Sequence, residues 1–155
     1  MKNVLMSYGC GGHRKQADRL YGHLCNDENI KFFSVTDVGD KPGWSKDHLE
    51  LTEFRDKYNG NVISLREACS QFLKIRAFLK KNSIRNVIST GPGVCIVSCI
   101  AAKLCGCVII HIETWSKFES LTMTTKVVKL LTKNILYQNI ELEGFLPNGK
   151  YVGRL

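Results

Sequence analysis

"VISTGPGVCIVSCIAAKLCGCVIIHIET", residues 87–114, decides the fold. A β-branched opening ends in Gly91-Pro92-Gly93, an apolar run starts at Val94, and beyond Gly106 a second β-branched run closes on Glu113. The run from Val94 to Ile112 is almost long enough to cross a bilayer. Lys103 and Gly106 interrupt it, however, and a lysine at the centre of a span costs about 3 kcal/mol. The stretch therefore reads as a strand, a buried helix, a glycine turn and a buried strand, the repeating unit of a parallel sheet.

The same alternation extends in both directions. "NVLMS" (3–7) and "IKFFSVT" (30–36) read as strands around a helix marked by Ala17, Leu20, Tyr21 and Leu24. From Asp37 to Gly60 the chain turns polar, with Pro42, Gly43 and Trp44, and predicts a long, partly mobile loop. "NVISL" (61–65) predicts a third strand. Ser64 and Glu67 form a capping-box pattern ahead of a helix with Ala68, Cys69, Phe72, Ile75 and Leu79 on its apolar stripe, running to about Lys81. "SKFESLTMTTKVVKLLTKN" (116–134) predicts a further helix, and "ILYQ" (135–138) and "YVG" (151–153) short strands. The expected architecture is one α/β domain, residues 1–155, with a single Rossmann-like open parallel sheet and helices on both faces. Ligands of such sheets sit at the carboxyl ends of the strands, where Gly9 to His13, Thr90 to Gly93 and Glu113 to Ser116 fall.

The 155 residues are 44% hydrophobic and 23% charged, enough for one real core, and the net charge of +8 points to an anionic partner. No base-reading motif accompanies that charge, so no nucleic acid is expected. "MKNVLMSYG" has too few apolar residues for a signal-peptide core, which predicts a protein kept in the cytosol. Seven cysteines, an odd number, argue against a disulfide framework. Cys95, Cys99, Cys105 and Cys107 with His111 match no common zinc spacing and read as small hydrophobes, so no metal is expected.

Two turns carry the chemistry. In "GCGGHRKQADRL" (9–20) the sixth place from Gly9 is Arg14 where a dinucleotide fingerprint needs glycine, and no Walker lysine follows. Free N–H groups at a helix N-terminus still attract a phosphate or pyrophosphate, or the glycines merely make a tight turn. His13 stands at the mouth of that helix, where the dipole favours neutral imidazole, a form able to take a proton from a hydroxyl. Glu113 ends an apolar strand as a general base, a sugar-hydroxyl ligand or a cap for the next turn. Lys126, Lys129 and Lys133 line one side of the last helix, as a solvated face or a contact for anionic headgroups.

Taken together, "GCGGHRKQADRL", "VISTGPGVCIVSCIAAKLCGCVIIHIET" and the terminal "YVGRL" resemble the small glycosyltransferase subunit of dolichol-linked oligosaccharide assembly and the PssD-type proteins of bacterial capsule and exopolysaccharide synthesis. The acceptor half of the MurG-type transferase is similar at a greater distance. The resemblance covers nearly the whole chain. It implies the N-terminal, acceptor-side half of a GT-B glycosyltransferase whose donor-binding half is a separate subunit. The implied reaction is an inverting transfer from a UDP-sugar, a substrate rather than a cofactor, to a polyprenyl-pyrophosphate-linked saccharide. Gly9, Gly11, Gly12, Arg14, Thr90, Gly91, Gly93 and Ser116 would bind the acceptor, with His13 or Glu113 as the base. The implied location is the inner face of the cell membrane, held peripherally against its anionic surface. A non-catalytic activator that recruits a partner is the alternative. The eukaryotic members' N-terminal anchor is missing here, which favours a bacterial polysaccharide protein, and "IET" stands where the family has "IES", keeping a hydroxyl after the glutamate.

Overall fold

The computed structural model describes residues 1–37, 39, 41–53 and 63–154. Among the described residues seven strands form one all-parallel sheet: β1 (Lys2–Ser7), β2 (Ile30–Thr36), β3 (His48–Glu50), β4 (Asn86–Ser89), β5 (Val108–Ile112), β6 (Ile135–Tyr137) and β7 (Lys150–Tyr151). Their spatial order is β3-β2-β1-β4-β5-β6-β7. The chain moves outward from β1 to β3, returns to lay β4 against β1, and then moves outward the other way. Its direction reverses between β1 and β4, and a crevice opens at the carboxyl ends of that pair.

Because successive side chains alternate across a strand, each face collects its own core. On one face Val4, Met6, Phe32, Ile88 and Ile112 are covered by α1 (Gly12–Leu24) through Ala17, Leu20, Tyr21 and Leu24. On the other, Leu5, Phe33, Val35, Val87 and Ile109 meet α2 (Leu65–Lys81), α3 (Val94–Leu104) and α4 (Met123–Val128). Fully buried side chains such as Leu5 and Ile75 each contribute about 2 kcal/mol of transfer free energy. Sheet and helices thus match the expected Rossmann-like domain with both faces covered.

Local chemistry sets the helix boundaries. Ser64 caps α2, its hydroxyl accepting the Glu67 N–H at 3.2 Å, and Thr122 caps α4 by accepting the Thr125 N–H at 3.2 Å. Five expectations need correction. The segment read as a loop over 37–60 holds β3, which pairs with β2 through Leu49 and Val35. Of the strand expected at 61–65, residues 61 and 62 lie outside the described residues, while Ile63 and Ser64 are not in a strand and Leu65 opens α2, because the Ser64 hydroxyl caps that helix. In α2 the buried stripe includes Gln71, and Cys69 is exposed. Only Met123–Val128 of the helix expected over 116–134 is α-helical, since the chain from Thr114 to Leu121 is held as a loop by groups described below. The last strand, expected at 151–153, covers Lys150–Tyr151, starting one residue early and stopping two short.

Candidate functional site

Gly9 and Pro92 bring the two halves of the sheet together. A Cβ on Gly9 would stand 2.3 Å from Pro92 Cγ, so only glycine lets the first turn approach the fourth strand's turn this closely. Gly11 precedes α1 with φ of +68°, a backbone conformation that favours glycine. The Thr90 N–H donates to the Ser7 carbonyl at 3.0 Å, which fixes the height of one turn against the other.

His13, Thr90, Gly91, Gly93 and Glu113 line one cavity of about 270 Å³, shared with His111, Thr114, Thr122, Met123 and Thr124. The structure therefore collects turns from β1, β4 and β5 at one place. Gly9 is buried behind the cavity, Gly11 and Gly12 are exposed beside it, and Ser116 is exposed with its hydroxyl 3.1 Å from that of Thr114. Arg14 Nε lies 3.9 Å from Asp18, and the Arg14 guanidinium approaches Gly39 rather than lining the cavity.

The cavity joins two helix N-termini with no side-chain cap, those of α1 and α3, whereas α2 and α4 are capped. Uncapped N–H groups and the dipole make each an anion-attracting end. Beside them the Thr90 hydroxyl is buried with no hydrogen-bond partner among the described residues. A buried hydroxyl is normally paired, and this one is left without a partner in the cavity wall.

His13 Nδ1 lies 2.7 Å from the Thr90 carbonyl oxygen. A carbonyl only accepts, so the neutral ring carries its proton on Nδ1 and leaves Nε2 bare. Gly91 packs against this ring, where a Cβ would come within 3.2 Å of Cγ. Glu113 is 1% exposed and held by three donors. The Thr114 N–H meets Oε1 at 2.8 Å, and the Thr122 N–H and hydroxyl meet Oε2 at 2.9 and 3.2 Å. Gln138 donates to the Glu113 carbonyl at 2.9 Å, and Asn139 Nδ2 donates to the carbonyls of Trp115 and Lys117 at 2.6 and 2.5 Å. The Arg19 guanidinium lies 4.8 Å over the Trp115 ring, tying α1 to the same loop.

Sequence spacing did not single out His111, Thr122 and Thr125 as a group. His111 is 1% exposed, with Nδ1 3.0 Å from Ser89 Oγ and Nε2 2.6 Å from Thr125 Oγ1. Both ring nitrogens are thus taken by hydroxyls. Burial, with a smaller contribution from His13, lowers its pKa from 6.5 to about 4. Cys95 and Cys99 are buried thiols whose pKa values are raised to about 11 and about 12, chiefly by desolvation. Among the described residues no three His, Cys, Asp or Glu side chains cluster as metal ligands.

The His111 shift carries a pH signature. Below its unfolded value of 6.5 the unfolded chain binds a proton that the native ring refuses until about pH 4, so stability falls as pH drops through that window. From about pH 7.5 to about pH 5 the loss from this group is about 2 kcal/mol. The lowered value of His48, also from burial, acts in the same direction. Urea midpoints at the two pH values should differ accordingly, and the difference should shrink in His111→Gln. Parallel profiles for the two proteins would rule this origin out.

Fold and crevice together define a Rossmann-like α/β domain with an anion-attracting site at its topological switch point. The family model for oligosaccharide biosynthesis proteins of the Alg14-like kind matches residues 53–155, and the chain belongs to that family. It is 23% identical to the human UDP-N-acetylglucosamine transferase subunit ALG14, the match covering 99% of this chain and 82% of that one. To the mouse protein of the same name it is 28% identical over 98% and 82%. Among solved structures it superposes on Acinetobacter baumannii MurG with a TM-score of 0.68 at 15% identity, over 89% of this chain and 41% of that one. On UDP-GlcNAc 2-epimerase from Methanocaldococcus jannaschii the TM-score is 0.71 at 11% identity, over 99% and 46%. The chain thus spans less than half the length of these structures, and at such identities the likeness bears on the fold alone.

Proposed function

We propose that this chain is the acceptor-binding subunit of a heteromeric inverting glycosyltransferase, completed by a separate donor-binding subunit. Family membership and the names of the ALG14 relatives support a transferase subunit, and UDP-N-acetylglucosamine is the first donor to assay. The acceptor is a polyprenyl-pyrophosphate-linked saccharide of capsule or exopolysaccharide synthesis. The uncapped ends of α1 and α3 and the unpaired Thr90 hydroxyl receive its pyrophosphate.

The observation that carries the mechanism is the 2.7 Å contact between His13 Nδ1 and the Thr90 carbonyl. With Nδ1–H committed there, bare Nε2 takes the proton of the acceptor hydroxyl. The hydroxyl oxygen bonds to the anomeric carbon of the donor sugar, the bond from that carbon to the UDP oxygen breaks, and UDP leaves with the electron pair. Glu113 Oε1, with one donor where Oε2 has two, keeps a lone pair to hold and orient a sugar hydroxyl. Exposed Lys126, Lys129 and Lys133, beside Leu130 at 80% exposure, rest on anionic headgroups at the inner face of the membrane. No helix among the described residues is long and apolar enough to cross a membrane.

Affinity isolation of the tagged chain from its host membranes tests the first step. The expected catch is a small protein with a UDP-sugar-binding Rossmann pattern. The pair should transfer labelled sugar to lipid-pyrophosphate acceptor in anionic vesicles, and neither subunit should do so alone. A partner that works at full rate without this chain would sink the proposal. A chain that stimulates its partner equally well without His13 and Glu113 would be an activator.

A further inference from the structure

A run of buried polar groups links the centre of the sheet to Glu113. Ser89 and His111 are register partners on β4 and β5. From His111 the run continues through Thr125 at 2.6 Å to Thr122 at 3.0 Å and on to Glu113 Oε2 at 3.2 Å. Thr125 is fully buried on α4, so its hydroxyl has no bulk water as an alternative partner, while Thr122, which caps that helix, is half-buried at the cavity wall.

Counting protons exposes a branch point. The Thr122 hydroxyl has one proton and two acceptors within reach, Glu113 Oε2 and Thr125 Oγ1. If the His111 proton is on Nδ1, it goes to Ser89 Oγ, and Nε2 accepts the Thr125 proton. Thr125 Oγ1 is then open to the Thr122 proton, and Glu113 keeps only its two backbone donors. If the His111 proton is on Nε2, it goes to Thr125 Oγ1, and Nδ1 accepts from Ser89. The Thr122-to-Thr125 hydrogen bond then reverses, Thr125 donating across the same 3.0 Å to Thr122 Oγ1, and the Thr122 proton goes to the carboxylate.

We propose that His111 is a positioning residue for Glu113, its ring tautomer deciding whether the Thr122 hydroxyl donates to the carboxylate or turns away from it. The ionised carboxylate selects the Nε2–H form, because a hydrogen bond to a charged acceptor is about twice as strong as one between neutral groups. Oε2 is then saturated, and Oε1 is the one carboxylate oxygen with room for a ligand. Burial keeps the ring neutral near pH 7, so it switches between tautomers rather than between charges. The importance of Oε1 to turnover rests on the acceptor-subunit reading above; the tautomer does not.

Nitrogen-15 NMR of the imidazole rings at neutral pH tests the coupling without turnover. Wild type should show His111 protonated on Nε2. Glu113→Ala and Thr122→Val should both show it on Nδ1, because each removes the pull on the Thr122 proton. Two variants guard against one failing to fold. An Nδ1–H ring in wild type, or an unchanged tautomer in every folded variant, overturns the proposal. In the assembled transferase, His111→Gln, which keeps a donor where Nε2 was, should hold kcat/KM near wild type. His111→Asn should lose about tenfold, the worth of one hydrogen bond to a charged group. Equal losses in the two would mean the ring only fills space. A pair with no transferase activity but the expected tautomers would refute the functional reading and leave the coupling standing.

Discussion

His13→Asn should lower kcat of the assembled pair by about 10²- to 10⁴-fold while leaving KM for the lipid acceptor within a few fold. The asparagine amide can still donate to the Thr90 carbonyl, which His13 Nδ1 reaches at 2.7 Å, so the turn keeps its hydrogen bond. It has no basic nitrogen where Nε2 was, so the hydroxyl proton has nowhere to go in the transition state. Glu113→Gln should behave differently. One amide group must then face a backbone N–H of Thr114 or Thr122, which disturbs the grip on the loop and should mainly raise KM. Steady-state kinetics with acceptor and donor varied separately distinguishes the two. If His13→Asn raised KM and Glu113→Gln lowered kcat, the assignment of base and ligand would be reversed.

Gly9→Ala should lower stability by about 3 kcal/mol and the melting temperature by roughly 10 °C. Its Cβ would sit 2.3 Å from Pro92 Cγ and 2.7 Å from Cδ, and the proline ring has no rotamer by which to move aside. The two turns would have to part, shifting His13 from the Thr90 carbonyl, so activity should fall with stability. Pro92→Ala in the same chain removes the colliding atoms and should restore most of the loss. Calorimetry of the two single variants and the double variant checks this. A double variant no more stable than Gly9→Ala would show that the contact with Pro92 is not the cause.

Much of this was legible in the sequence because single residues carry the signals. Ser64 ahead of Glu67 marked the start of α2, and the apolar runs of β1, β2, β4 and β5 marked strands buried on both faces. The glycine turn ahead of His13, and a carboxylate at the end of an apolar strand, pointed to the cavity that His13 and Glu113 line. What escaped had no local signal. β3 is three residues long, too short for alternation to show, and its pairing with Ser34, Val35 and Thr36 comes from the sheet edge. The helical reading of 116–134 overshoots α4 because residues before Met123 have a helical period, whereas Glu113 and Asn139 hold them as a loop. The grouping of His111 with Ser89, Thr122 and Thr125 depends on β5 lying beside β4 and on α4 bringing Thr125 to the His111 ring, a tertiary arrangement that no spacing announces.

The junction of β1 with β4 also governs when the protein becomes itself during synthesis. β1 leaves the ribosome early, yet its partner on that side is Asn86–Ser89, and the groups that hold Glu113 extend to Gln138. Until the later half of the chain has emerged, the edge of β1 destined for β4 has no neighbour, and the nascent chain carries an open strand edge with its apolar residues beside it. The crevice is thus completed late in translation, and a chain truncated before Thr122 would carry His13, Thr90 and Glu113 without the Thr122 N–H and hydroxyl that hold Oε2.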